Sequence, residues 1–354
     1  ADVERAFDPS SQGEIFWTST ARSALRAVLL HLRQTGTLRD KNAEMLVPRW
    51  ACTSLYNTMH KVCFPTIQDS PALRGVLAYH QYGFPQRLDV IAQRCRDRGL
   101  ILIENCVNCA FDGSSPHGMG ATGLASIFSL PKMFRTVLGG VLLSRDSGLS
   151  AFCADYFRED EPWIGGLSRA ARRLSEVFPG RSSQYLQEMV YGACDYGRNA
   201  APGDVALLRK DFATGAIARR KENYARLRRE FVDTPFFMGL EPDVIPYVAP
   251  MFGPPEFLER LSTRLSELGW ESGIYHFDAA RDVFAPGNDT LASRAAALQE
   301  RTVASPARRA HALQADLERA TALAAAAPRR RPQHRAGEHG LRAAARAAPA
   351  AGSA

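Results

Sequence analysis

Ile101–Ser144, ILIENCVNCAFDGSSPHGMGATGLASIFSLPKMFRTVLGGVLLS, is the stretch whose reading decides the fold. Residues 100–103 form a short apolar run after Gly99 and end in Glu104 and Asn105, as a buried parallel strand ends at its polar carboxyl edge. Ligands of open α/β sheets gather at that edge. Residues 125–130 read as a second buried strand, and 137–144 as a third, reached through the Gly139-Gly140 pair. Lys132 therefore falls on a connection between strands.

A lysine in such a place is by default a solvated surface cation. Here Phe128, Leu130, Pro131, Met133 and Phe134 flank it. They either desolvate the amine, as an imine-forming lysine requires, or belong to the ordinary core.

Upstream, Thr18-Ser19-Thr20-Ala21-Arg22-Ser23 precedes a helical pattern at Leu25, Val28, Leu29 and Leu32. Its backbone amides suit a phosphate at a helix amino end, and equally a plain Ser/Thr cap. Residues 45–54 read as a strand leading into a helix and carry Trp50, a ring fit for stacking or for core. Residues 76–83, VLAYHQYG, form another strand end, where His80 either lines a site or is a satisfied structural histidine. Leu88, Ile91, Ala92 and Cys95 share a helical face between two strand signals, which makes a βαβ unit.

Residues 1–215 thus read as a large α/β domain. Residues 157–211 look mostly helical, with a break at Trp163–Gly166. From 216 a long helix leads to a strand-like run over 244–251, a helix over 254–268 and a returning strand over 271–277, which suits a smaller α+β domain at 216–290. Residues 291–354 are rich in alanine and arginine and poor in large apolar groups, so a weakly packed or disordered tail is expected.

With 354 residues, 45% hydrophobic and 23% charged, the composition is that of an ordinary globular chain with room for two cores. No apolar run approaches the roughly 20 residues that cross a bilayer, and the first residues lack the apolar centre of a signal peptide; no membrane association and a cytoplasmic location are expected. Seven irregularly spaced cysteines suit reduced thiols, and Cys106-Val107-Asn108-Cys109 lacks the second pair that a zinc site needs, so no metal is expected. The net charge of +7 resides largely in the tail and in the arginine-rich helix 219–229, whose Tyr224, Leu227 and Phe231 form one buried stripe. No nucleic-acid motif accompanies it, and no nucleic-acid partner is expected.

Taken in order, these segments resemble the fold-type I pyridoxal-phosphate enzymes, and within them the DegT/DnrJ/EryC1/StrS family of sugar aminotransferases. The resemblance covers roughly residues 15–290. It implies a mostly parallel central sheet flanked by helices, and pyridoxal 5'-phosphate as cofactor. It also implies Lys132 as the lysine that bonds the cofactor and shuttles the proton, and Arg22 and Ser23 at the phosphate. Trp50 falls over the pyridine face, Ser129 in the family's Phe-Ser motif, and His80 in its His-x-Tyr-Gly motif. An amino-acid donor, glutamate, a nucleotide-linked keto-sugar acceptor and a homodimer are further implications.

Two departures bear on activity. The resemblance places Asn105 where the family carries an aspartate against the pyridine nitrogen, and Asn108 where it often has glutamine or histidine near the phenolic oxygen. A neutral asparagine cannot hold that nitrogen protonated; it donates to an unprotonated nitrogen or accepts from a protonated one. A non-catalytic relative acting as a binding subunit is therefore the rival expectation. The loop also lacks the acidic residue that often precedes the paired glycines, and no Asn-x-Arg segment stands out. An α/β enzyme using another cofactor is weakened by the absence of G-x-G-x-x-G and Walker loops.

Overall fold

The apolar runs become strands because each buries both of its faces. In the computed structural model, which describes residues 3–8, 10–48, 51–113, 115, 118–157, 170, 192, 197–231, 244–248 and 255–267, seven strands form one sheet. They are β1 Glu14–Thr18, β2 Glu44–Leu46, β3 Phe64–Thr66, β4 Leu73–Tyr79, β5 Ile101–Asn105, β6 Ala125–Ser129 and β7 Gly140–Ser144. The spatial order is β1-β7-β6-β5-β4-β2-β3, and β7 alone runs against the rest.

Alternation along β5 sends Ile103 to one face and Leu102 to the other. On the first face Ile103 joins Met45, Leu77, Ile127 and Leu142 under α1 (Ala21–Gln34), α2 (Thr53–His60) and α5 (Ser147–Tyr156). On the second, Leu102, Val76 and Ala78 meet Leu88, Ala92 and Cys95 of α3 (Leu88–Arg98). Further along that face Phe128, Val141 and Leu143 pack with Phe7 and Phe111, and with Leu208, Tyr224 and Phe257 of three later helices. Each of the larger side chains among these, the Val, Leu, Ile, Met and Phe residues, contributes about 1.5–3 kcal/mol by leaving water. That two-sided burial explains why the strands read as continuous apolar runs rather than alternating ones.

Gly99 closes α3 in the left-handed conformation (φ 62°), its N–H bonding Arg96 and Cys95 carbonyls, and so turns the chain into β5. Leu130–Met133 is a single helical turn, α4, rather than a loop. The strand expected over 137–144 starts only at Gly140, because the N–H groups of Val137 and Gly139 go to Asp204 and to the Ser19 carbonyl instead of a ladder.

Later helices are α6 (Pro202–Ala213), α7 (Ala216–Phe231) and α8 (Pro255–Glu267). The strand-like run expected over 244–251 is irregular over its described part, 244–248, where Val244 and Ile245 pack into the core as side chains without forming a ladder. Trp50, the break at 163–166, the returning strand at 271–277 and the tail at 291–354 lie outside the described residues. No helix among the described residues is long and apolar enough to cross a membrane.

Register places the ends that matter on one edge. Tyr79 of β4 pairs with Asn105 of β5, and Asn105 pairs with Ile127 of β6; two residues on, Ser129 pairs with Gly140, and Gly140 with Thr18 of β1. The segments that leave this edge carry Ser19–Ser23, His80, Asn105–Asn108 and Lys132.

Candidate cofactor site at the carboxyl edge

The amino end of α1 is built first. Thr20 is its N-cap, with Oγ1 accepting from the Ser23 N–H at 3.0 Å. Ser23 itself is fully buried, and its own Oγ has no partner among the described residues. A buried hydroxyl left without a bond costs free energy, so it marks a place where a ligand is expected. Arg22, half-buried, shares the same turn.

The paired glycines tie this turn to the lysine. Gly139, at φ 117°, donates to the Ser19 carbonyl at 2.8 Å and accepts from the Leu130 N–H at 3.1 Å. A Cβ on Gly140 would lie 2.5 Å from the Ala21 nitrogen, so only glycine lets β7 approach the start of α1. Ser129, half-buried, begins the α4 turn, and its side chain does not cap it.

Lys132 is half-buried on α4, its Nζ 5.6 Å from the centre of the Tyr247 ring, in cation–π range. The turn is held from outside. Arg220 of α7 donates to the carbonyls of Lys132 (3.4 Å), Met133 (3.2 Å) and Tyr247 (3.2 Å). The Tyr247 N–H in turn bonds the Tyr82 carbonyl at 2.9 Å. Beyond α4, the buried Asp211 accepts from the Arg135 N–H at 2.7 Å, and the buried Asp204 from the Val137 N–H at 2.8 Å. α6 thus sets two buried carboxylates against the segment that follows α4.

At the end of β5 the side chains part. Asn105, 6% exposed, uses its Oδ1 to accept from the Val107 N–H at 3.3 Å. Asn108, 2% exposed, donates from Nδ2 to the Tyr79 hydroxyl at 2.7 Å, and its Oδ1 has no partner among the described residues. Burial pushes the Tyr79 phenol well up, so it stays protonated.

Glu104 turns to the opposite face and is fully buried. Its Oε1 accepts from the N–H groups of Thr122 and Gly123, and its Oε2 from that of Gly120, each at 2.7 Å, with His80 Nε2 3.2 Å from Oε2. Burial pushes this carboxyl up, but the His80 ring and the backbone donors outweigh it and hold it below its ordinary value.

The His80 ring is also fully buried, with Nδ1 accepting from the Gln86 N–H at 3.2 Å. Burial pushes the imidazole down, while Cys106 and Glu104 pull it up, to about 9. We take the neutral ring nonetheless. The Gln86 donor needs a lone pair on Nδ1, and burial keeps the Cys106 thiol uncharged by raising it far above its usual range, so the Nε2–H tautomer satisfies every partner. With both ring nitrogens engaged by the protein, His80 fits the satisfied structural histidine of the two readings rather than a residue lining the site. His80, Glu104 and Cys106 also bring potential ligand atoms within 4.8 Å of one another, but both Glu104 oxygens are already taken by hydrogen-bond donors.

Six of the seven cysteines are described, all as free thiols. Residues missed by sequence reasoning are Tyr79, Glu104, Arg220, Tyr247, Asp204 and Asp211. Strand alternation next to Asn105 signalled the opposite-facing Glu104; nothing local signalled the long-range partners.

No protein-family model and no curated protein matches the chain. Solved structures do. DesV of S. venezuelae, in complex with a ketimine intermediate, is 16% identical over 91% of this chain and 87% of that one, with a TM-score of 0.55. The aminotransferase TlmJ from Streptoalloteichus hindustanus is 16% identical over 81% and 78%, with a TM-score of 0.53. Helicobacter pylori PseC, an aminotransferase involved in the biosynthesis of pseudoaminic acid, is 14% identical over 80% of each chain, with a TM-score of 0.50. At this identity the likeness is one of fold. The chain has the fold-type I architecture of these enzymes, a mostly parallel α/β sheet flanked by helices, as the resemblance implied.

Proposed function

We propose that this protein is a pyridoxal-phosphate-dependent aminotransferase that moves an amino group from an amino-acid donor, glutamate, to a nucleotide-linked keto-sugar. The observation that carries the reading is one sheet edge holding the amino end of α1, with a buried Ser23 hydroxyl that has no partner among the described residues, beside the Asn105–Asn108 turn and the Lys132 turn. The fold shared with DesV, TlmJ and PseC supports it.

The residues fit the cofactor. Ser23, Arg22 and the first amides of α1 suit its phosphate, an anion at a helix amino end. Asn105 suits the ring nitrogen, and Asn108, braced by Tyr79, the phenolic oxygen; Ser129 lines the approach to Lys132. Trp50 is assigned to the ring face by resemblance. Bound there, pyridoxal phosphate supplies a carbonyl for amines to join and a ring that draws electrons from the adjacent carbon. Lys132 Nζ is the group that holds the cofactor and carries the proton. Tyr247 covers the amine on one side and limits its access to water.

We assign the cofactor to a large domain, residues 1–215, and the second wall of the site to a smaller one, 216–290. A homodimer and a cytoplasmic location complete the proposal. Asn105 favours a second reading, a binding subunit without turnover. One titration separates the two. The protein mixed with pyridoxal phosphate develops a visible absorbance band, absent in Lys132→Ala, and glutamate bleaches that band if the protein is an aminotransferase. A band that glutamate leaves untouched, or no band at all, refutes the first reading and sustains the second.

A further inference from the structure

We infer that Asn105 holds the cofactor's ring nitrogen in its unprotonated form, acting as a hydrogen-bond donor and not as a charge partner. The inference rests on the pyridoxal-phosphate reading above and goes further in fixing the electronic state of the ring.

The direction of the Asn105 amide decides the matter. The Val107 backbone N–H, 3.3 Å from Oδ1, needs an acceptor, which an amide nitrogen cannot be, so the oxygen faces the turn. With Oδ1 turned toward its own chain, the end of the amide with no partner among the described residues is Nδ2 with its two hydrogens, and it can only donate. A donor meets a ring nitrogen that keeps its lone pair; a pyridinium N–H would face another N–H.

The surroundings agree. The turn Asn105-Cys106-Val107-Asn108-Cys109 contains no acid. Cys106 is a neutral thiol, and Asn108 is bonded to a phenol that stays protonated. The neighbouring carboxylate, Glu104, lies on the other face with four donors around it. A cationic ring would thus be a buried charge without a counter-charge, which is disfavoured. A neutral ring withdraws electrons less, so the wild-type protein should move protons at the donor carbon slowly, and an acid at this position should quicken it.

The test uses the full chain reconstituted with pyridoxal phosphate labelled with 15N in the ring. In the wild type the resonance is expected at the unprotonated-pyridine position, and in Asn105→Asp upfield, at the pyridinium position. With it, the glutamate half-reaction should quicken about tenfold for each unit gained in ring-nitrogen pKa. Should Asn105→Asp not fold, the wild-type spectrum alone decides. A bound cofactor with a pyridinium resonance in the wild type overturns this inference and leaves the proposed function standing. Failure of the wild type to bind the cofactor overturns both.

Discussion

Glu104 and Asn105 are neighbours in the chain and opposites in state. Glu104 points to the α3 side and satisfies three backbone N–H groups and a histidine, while Asn105 spends one oxygen on its own turn and keeps its amino group for something else. The same contrast separates His80, both of whose nitrogens are engaged, from Asn108 and Ser23, each buried with an unpartnered oxygen among the described residues. A polar residue whose bonds are all internal builds the scaffold. One whose bonds are incomplete, at a sheet edge, is where a ligand is expected.

The largest effect should come from breaking the closed side. Glu104→Ala strands three buried donors and should cost about 3–5 kcal/mol in denaturant unfolding. Asn105→Ala should cost under about 1 kcal/mol, near the value of one neutral hydrogen bond, while weakening cofactor binding. Equal losses of stability at the two positions would erase the distinction.

Acid sharpens the same point. Because the Glu104 carboxyl is held below its ordinary value of 4.5, its contribution is fully present above that pH and is lost as pH falls through the lower folded value. Wild-type stability should therefore drop more steeply below about pH 4.5 than that of Glu104→Gln, as pH-dependent unfolding curves will record.

Next in size is Gly140→Ala, whose new methyl group meets the Ala21 nitrogen at 2.5 Å. It should destabilise by about 1–3 kcal/mol and displace the start of α1, so inorganic phosphate should protect the variant less than the wild type in thermal unfolding. Smallest is Tyr79→Phe, which removes the brace under Asn108. It should cost about 0.5–1.5 kcal/mol of cofactor affinity by titration, with the overall fold unchanged in circular dichroism.

How far the sequence reached follows from the range of the forces involved. β5, β6 and the helix α1 were legible because apolar periodicity is a local property, and the paired glycines because such a pair is itself a local break, although what crowds Gly140 is the distant Ala21. Lys132 was singled out by its apolar flank, of which Phe128, Leu130, Met133 and Phe134 are buried. His80 was placed at the right edge with two readings open, since nothing in its own strand shows that Gln86 and Glu104 engage both nitrogens. Arg220, Tyr247, Asp204 and Asp211 act on the lysine turn from roughly 70–115 residues away in the chain, Tyr247 through its ring face and the others through side chain to backbone bonds, and these contacts leave no periodic mark. The run at 244–248 looked like a strand for a related reason: two buried apolar side chains satisfy the core without a ladder.

The most direct test is to add pyridoxal phosphate, reduce the bound form with borohydride, digest the protein and locate the added mass. The account predicts a single modified peptide carrying the cofactor on Lys132. A label on any other lysine, or on none, contradicts it.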